Sequence, residues 1–158
     1  MYHYTESGLD NVWLENGYTV MKTPYGKATS VVDADALHEL LAISLTDKKG
    51  RITGKEFRFL RTTACLSQKS LAHMVGVSEQ ALSLWERTGK VPVSGDAVIR
   101  MLTLERLEGD GKMSQVIERI STVDRLVNQK IVAHAARHKW TAKPQKVIRQ
   151  KASTTARV

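Results

Sequence analysis

Hydrophobic positions in the middle of the chain recur with helical spacing. After residues 53–56, which have the spacing of a capping box, apolar side chains lie at i, i+3 and i+7. Three serines suited to cap a helix precede further periodic stretches: Ser67, Ser78 and Ser94. The pattern predicts four helices, which begin near residues 54, 68, 79 and 95. The last runs to about residue 107, before Gly109-Asp-Gly111 interrupts it.

The first 45 residues have a different pattern. Residues 11–15 and 18–22 flank Asn16-Gly17, a pair that tolerates positive φ at both centres of a type I′ turn, so a hairpin is predicted. A turn at residues 24–26 leads to a third short strand over 27–32. Asp33 is suited to cap a helix over 34–45. We therefore expect a small ββ(β)α unit over 1–45, a candidate dimer or partner interface, followed by a linker at 46–52.

Apolar residues near the C-terminus form a narrow stripe. Apart from the adjacent pair Val116 and Ile117, they recur at steps of three or four residues, at Met113, Val116, Ile117, Ile120, Val123, Val127 and Ile131. This spacing predicts a long amphipathic helix over 112–136, for which homodimerisation is the leading interpretation. A basic flexible tail is expected over 137–158.

Composition limits the classes of protein to consider. The chain has 158 residues, of which 42% are hydrophobic and 25% charged, values typical of a globular protein. The single cysteine, Cys65, cannot form an internal disulfide or a zinc site built from paired cysteines. No apolar run approaches the roughly 18 residues of a membrane helix. The first twenty residues lack the Lys or Arg with which a signal peptide begins. We therefore expect a cytoplasmic protein.

Positive charge is concentrated at the C-terminus. The net charge is +8, and residues 125–158 contain nine Lys or Arg and no acidic residue. The preceding part is therefore nearly neutral overall. Because neutralised phosphates release counterions, such a segment is expected to contact nucleic acid rather than only to aid solubility.

Residues 66–87 satisfy the steric requirements of a helix-turn-helix. Two helices that meet at a steep angle need a small residue at their contact, which Ala72 supplies. The turn needs a residue that tolerates positive φ, which is Gly76, and Ser78 is suited to cap the second helix. These requirements coincide within about 20 residues, so the pattern is specific.

The phrases Leu-Ser-Gln-Lys-Ser-Leu-Ala, Gly-Val-Ser and Leu-Trp-Glu-Arg make residues 53–107 resemble the lambda-repressor-like (Cro, XRE) helix-turn-helix family. Gly89 lies one residue later than the glycine of the family's usual Trp-Glu-x-Gly pattern. A small N-terminal β unit before this motif is similar to the MqsA-like antitoxin family, whose members bind DNA and a toxin. The zinc-binding cysteines of that family are missing here. We expect a mainly α fold: a helix-turn-helix bundle with an N-terminal antiparallel β unit and helix, a long C-terminal helix and a basic tail.

Candidate DNA-binding residues follow from the predicted second helix and from the start of the helix before it. They are Ser67, Gln68, Lys69, Ser78, Glu79, Gln80, Ser83, Leu84, Arg87 and Lys90. Gln80 is suited to bond adenine, Glu79 to accept from cytosine, and Leu84 to meet a thymine methyl group. The resemblance implies that Gln68 contacts the DNA backbone. Additional candidate phosphate contacts are Lys55, Arg58 and Arg61.

These features predict a sequence-specific regulator of transcription that binds double-stranded DNA. It is expected to act as a dimeric repressor on a palindromic operator, with autoregulation left open. The alternative is an antitoxin that binds a toxin protein and represses a shared promoter; a third option is a nucleoid-type binder without sequence preference. No catalytic constellation is recognisable, so we expect no enzyme, cofactor or membrane partner. His134 and His138 have metal-capable spacing but no accompanying carboxylate or cysteine, and are interpreted as solvated residues.

Overall fold

The computed structural model describes residues 1–121, 129–136 and 139–146. The chain is mainly helical with small antiparallel sheets, and it divides into two compact units, Met1–Thr122 and Val123–Val158. None of the helices in the described ranges is long and apolar enough to cross a membrane. The elements of the first unit are β1 (Tyr2–His3), β2 (Trp13–Leu14), β3 (Tyr18–Thr23), β4 (Gly26–Val31), α1 (Ala34–Thr46), α2 (Gly54–Thr63), α3 (Gln68–Val75), α4 (Glu79–Thr88), α5 (Val93–Glu108) and α6 (Lys112–Ser121). The second unit contains β5 (Gln129–Ala136) and β6 (Lys139–Lys146).

The N-terminal strands form two separate ladders, so the predicted hairpin at Asn16-Gly17 is wrong. Strand β2 pairs with β1, whereas β3 pairs with β4 across the turn at residues 24–25. Gly17 does have a positive φ of 76°, but its carbonyl accepts a hydrogen bond from the Val32 amide (2.9 Å) and so extends the β3–β4 ladder.

Burial explains why residues 11–15 do not continue into β3. Val12 and Leu14 are buried in the core, together with Tyr4 and Leu9. Their segment therefore follows the core surface, where β1 supplies its partner strand. Trp13, between the two buried residues, is 57% exposed and stacks on His3 with ring centroids 4.3 Å apart.

Local capping signals account for the predicted starts of α1 and α2. The Asp33 side chain accepts a hydrogen bond from the Ala36 amide (3.1 Å), and residues 53–56 form the predicted capping box. The prediction for α5 was wrong at its start, because Pro92 rather than Ser94 precedes the helix. Proline fixes φ near the helical value, so Pro92 can lead into the helix without a side-chain cap.

One hydrophobic core joins the N-terminal segment to the helices. Phe57 and Leu60 of α2, Leu71 of α3, Leu82 of α4 and Ile99 of α5 are fully buried in it. Helix α1 packs on α2 and α5, and its Ala42 and Leu45 belong to the same cluster. Residues 1–45 and 53–108, expected to be separate domains, therefore share a core within the first unit, and the predicted linker at 46–52 connects them.

The connector between α1 and α2 is held by an arginine of α5. The Arg100 guanidinium donates hydrogen bonds to the carbonyls of Thr46 (3.0 Å), Lys48 (2.6 Å) and Gly50 (2.7 Å). Asp96 accepts from Arg100 (2.5 Å) and from the Ile52 amide (3.2 Å). Because these bonds satisfy backbone groups of an irregular segment, they fix its path across α5.

Helices α2 and α4 approach each other closely at Gly54. A Cβ at this position would lie 2.3 Å from the Glu86 carbonyl oxygen. Helix α4 ends beside it, with Gly89 at φ 72° and its amide bonded to the Trp85 carbonyl (2.9 Å). The glycine at the first position of α2 therefore permits backbone contact that no other residue would allow.

The predicted helix over 112–136 is wrong over residues 129–136. Helix α6 is described over Lys112–Ser121, and Gln129–Ala136 forms a strand that pairs in antiparallel register with Lys139–Lys146. Part of the expected flexible tail is therefore β6. The β-branched and aromatic residues of this segment, Ile131, Val132, Trp140 and Thr141, favour strand, and a two-residue connection permits a hairpin. Residues 122–128, 137–138 and 147–158 lie outside the described residues.

Candidate nucleic-acid interface

The geometry of α3 and α4 is set by a serine cap at the start of each helix and by the glycine turn between them. Ser67 accepts a hydrogen bond from the Ser70 amide (2.9 Å), and Ser78 accepts one from the Ala81 amide (3.1 Å). Helix α3 ends at Gly76, which has φ 78°. The Gly76 and Val77 amides both donate to the Ala72 carbonyl, at 2.9 and 3.0 Å. The turn therefore satisfies the terminal carbonyl of α3 while it redirects the chain into α4.

The inner faces of the two helices are tightly packed. Leu71 and Leu82 have no exposed surface, and Ala72 is 2% exposed. Trp85 packs against the core and makes an edge contact with Phe57, at a centroid distance of 6.0 Å. This packing places the small Ala72 side chain at the buried face of α3, as predicted, and directs the opposite face of α4 to solvent.

Five predicted DNA-binding residues occupy the outward face of α4. At about 100° per residue, they fall within an arc of about 140° on the helix. Of these, Leu84 is 50% exposed, and the Ser83 side chain is half-buried. The five are Glu79, Gln80, Ser83, Leu84 and Arg87.

An open groove of about 1080 Å³ runs beside this face. Predicted residues from both helices line it: Ser67, Gln68, Glu79, Ser83 and Arg87. Residues of α2, including Lys55 and Arg58, and residues 6–8 form its other walls. The remaining candidates are exposed but do not line the groove: Lys69, Ser78, Gln80, Leu84 and Lys90.

A largely buried polar network connects α2, α3 and α4 in the wall of the groove, which Arg61, Gln68 and Glu86 also line. The Glu86 carboxylate accepts hydrogen bonds from the Arg61 Nε (2.6 Å) and from the Gln68 side-chain amide (2.7 Å). Arg61 also donates to the Leu66 carbonyl (2.8 Å). The side chains of Arg61 and Glu86 are only 11% and 5% exposed. This network fixes the start of α3 relative to α4.

The prediction of Arg61 as a phosphate contact is therefore wrong. Arg61 follows Phe57 by one helical turn, and Glu86 follows Leu82 by the same interval. Residues separated by four positions share a helix face, so both charged groups lie on the buried side. The sequence did contain a signal for this ion pair, because one basic and one acidic residue each fall on the inward face of a helix. Buried charges require such pairing.

The other cations around the groove differ in whether a carboxylate pairs with them. Lys55 bonds both carboxylate oxygens of Asp10, at 2.7 and 2.6 Å, so part of its charge is compensated. Arg58 and Arg87 line the groove, and within the described residues neither takes part in an ion pair. These two arginines are the better candidates for phosphate contact there.

An acidic side chain borders one end of the groove. Glu6 accepts a hydrogen bond from the Tyr2 hydroxyl, which lowers the pKa of that carboxyl group below its ordinary value. Glu6 is therefore an anion at neutral pH. Its charge disfavours a phosphate at the end of the groove formed by residues 6–8.

The chain was compared with protein-family models, with curated proteins and with solved structures. None of the three comparisons found a match.

Within the described ranges, no three His, Cys, Asp or Glu residues are grouped in a way that could hold a metal ion. His134 lies in β5, whereas His138 lies outside the described residues.

Proposed function

We propose that this chain is a sequence-specific regulator of transcription that binds double-stranded DNA through α3 and α4, as a dimeric repressor on a palindromic operator. The observation that carries the proposal is the outward face of α4, held above α3 by a glycine turn and a small-residue contact at Ala72. In this interpretation α3 and α4 are a helix-turn-helix. The DNA major groove, about 12 Å wide, admits one such helix.

The start of α3 supports the proposed binding of DNA along α3 and α4. Its capped N-terminus carries the positive end of the helix dipole and adjoins the groove at Ser67 and Gln68. The Gln68 amide has two donor hydrogens, of which Glu86 takes one. The second is available for a phosphate oxygen. The buried network thereby positions Gln68 for contact with the DNA backbone, beside the helix proposed to read bases.

Replacing Gln80 with Ala tests the proposed role of α4. We expect binding to the preferred duplex to weaken by about 1–3 kcal/mol, with relaxed preference at one base pair, because a bidentate contact to adenine is lost. Lys90→Ala should instead weaken binding to all duplexes alike. Fluorescence anisotropy with preferred and random duplexes measures both effects.

A matched control is Gln115→Ala, which removes an exposed glutamine from α6 of the same unit. It should leave both affinities unchanged. Equal losses on preferred and random duplexes for Gln80→Ala would remove Gln80 from a base-reading role.

A second candidate function, an antitoxin that also binds a toxin, is favoured by the apolar surface of the N-terminal segment. Tyr25 is fully exposed, Val32 is 73% exposed and Leu40 is 61% exposed. Tyr25 lies at the turn of the β3–β4 ladder, Val32 at its opposite end and Leu40 in α1, so they are separate candidate contacts for a partner protein rather than one patch. This function requires a protein partner in addition to DNA, whereas the first does not.

A further inference from the structure

The register of β5 and β6 places three of the four lysines of the ladder on one face. Successive residues of a strand alternate between the two faces of a ladder, and directly paired residues share a face. Lys130 pairs with Gln145, Val132 with Lys143, His134 with Thr141, and Ala136 with Lys139. One face of the ladder therefore holds three lysines, at positions 130, 139 and 143.

The other face is predominantly apolar. Its members are Gln129, Ile131, Ala133, Ala135, Trp140, Ala142, Pro144 and Lys146. It contains one lysine, at the end of the ladder, against three on the first face. We call the face with Lys130, Lys139 and Lys143 the basic face. This division was not visible from the composition of the C-terminal segment, because it depends on the pairing register.

We propose that the basic face of the β5–β6 hairpin is a second contact with double-stranded DNA, directed at phosphates and independent of base sequence. The charge of the segment favours an anionic partner, because neither strand contains an acidic residue and residues 125–158 contain none. Lysine ammonium groups bind phosphates as point charges, and each neutralised phosphate releases counterions.

The dimensions of the hairpin suit contact with double-stranded DNA. An eight-residue strand extends about 26 Å, close to the axial rise of eight base pairs, so the ladder is long enough to span several phosphates. A two-stranded ribbon is also narrow enough to enter the DNA major groove. Lys139 and Lys143 lie four residues apart on one strand, about 13 Å, which allows them to contact different phosphates.

The experiment compares full-length variants by the salt dependence of their binding to a random duplex. The variant Lys130→Gln, Lys139→Gln, Lys143→Gln removes the basic face. We expect the slope of log K against log salt concentration to become shallower by about 2 to 3, because each phosphate contact contributes about 0.9. Affinity at 0.1 M salt should fall at least about tenfold.

The chain offers a control of equal charge. Lys143→Gln and Lys146→Gln each remove one lysine from β6, but only the first changes the basic face. Lys143→Gln should reduce the slope by about 0.9, and Lys146→Gln should leave it unchanged. Equal effects of the two single variants, or an unchanged slope for the triple variant, would overturn the proposal. Binding to vesicles containing phosphatidylserine, without binding to duplex DNA, would also overturn it.

This test is independent of base reading by α4. If the triple variant loses affinity for random duplex while the native chain selects no DNA word, the hairpin contact stands and the proposed regulator function fails. If the triple variant is unaffected while a word is selected, the regulator function stands and the hairpin contact fails. Circular dichroism and thermal unfolding establish that the variants remain folded.

Discussion

Replacing Glu86 with Ala is expected to lower the free energy of unfolding by about 3–5 kcal/mol, because it leaves the buried Arg61 guanidinium without its carboxylate. The Gln68 amide loses its acceptor in the same change. Since Glu86 connects α2, α3 and α4, the loss should affect the position of the DNA-binding surface as well as stability. Urea denaturation followed by circular dichroism measures the change.

Two further variants separate the role of this network from a general effect of substitution. Glu39→Ala removes an exposed glutamate from α1 and should change stability by no more than about 0.5 kcal/mol. The double variant Arg61→Met, Glu86→Leu replaces both charges with apolar groups and should recover much of the loss, because no unpaired buried charge remains. An effect of Glu86→Ala no larger than that of Glu39→Ala would contradict the described network.

Replacing Arg100 with Met is expected to lower the free energy of unfolding by about 2–4 kcal/mol, because three backbone carbonyls and the Asp96 carboxylate lose their cationic donor. Methionine retains most of the apolar stem but cannot donate. The segment between α1 and α2 should then exchange its amide hydrogens faster. Thermal unfolding and hydrogen exchange measure the two consequences.

Arg106 provides the matched control for this prediction. It is exposed on the same helix, where its recorded contact is a weak one with the Cys65 sulfur at 3.9 Å. Arg106→Met should therefore change stability by no more than about 0.5 kcal/mol. If both arginine variants were equally stable, the Arg100 bonds would contribute nothing to holding the connector.

The features predicted correctly are determined by neighbours in the sequence. Ser67 and Ser78 cap their helices through amides three residues away, and Gly76 supplies the positive φ that its own turn requires. The alternation of buried and exposed positions in α3 and α4 follows helical periodicity, so it was also available from the sequence. The predicted face of α4 depended on these local signals alone.

The features that were missed depend on residues far apart in the chain. Arg61 and Glu86 are 25 positions apart, and Arg100 bonds carbonyls about 50 positions away. Strand pairing is equally non-local, since Trp13–Leu14 had two possible partners and burial of Leu14 favoured β1. In the C-terminal segment, the helical spacing of the apolar stripe included Ile131, but pairing with β6 places this residue in a strand.

Selection of bound sequences from a randomised pool of DNA duplexes tests the account most directly. The outward face of α4, presented twice by a dimer, predicts enrichment of one palindromic word whose half-sites lie about 10 bp apart, centre to centre. Recovery of a pool with no shared word at moderate salt would contradict base reading by α4 and, with it, the proposed regulator.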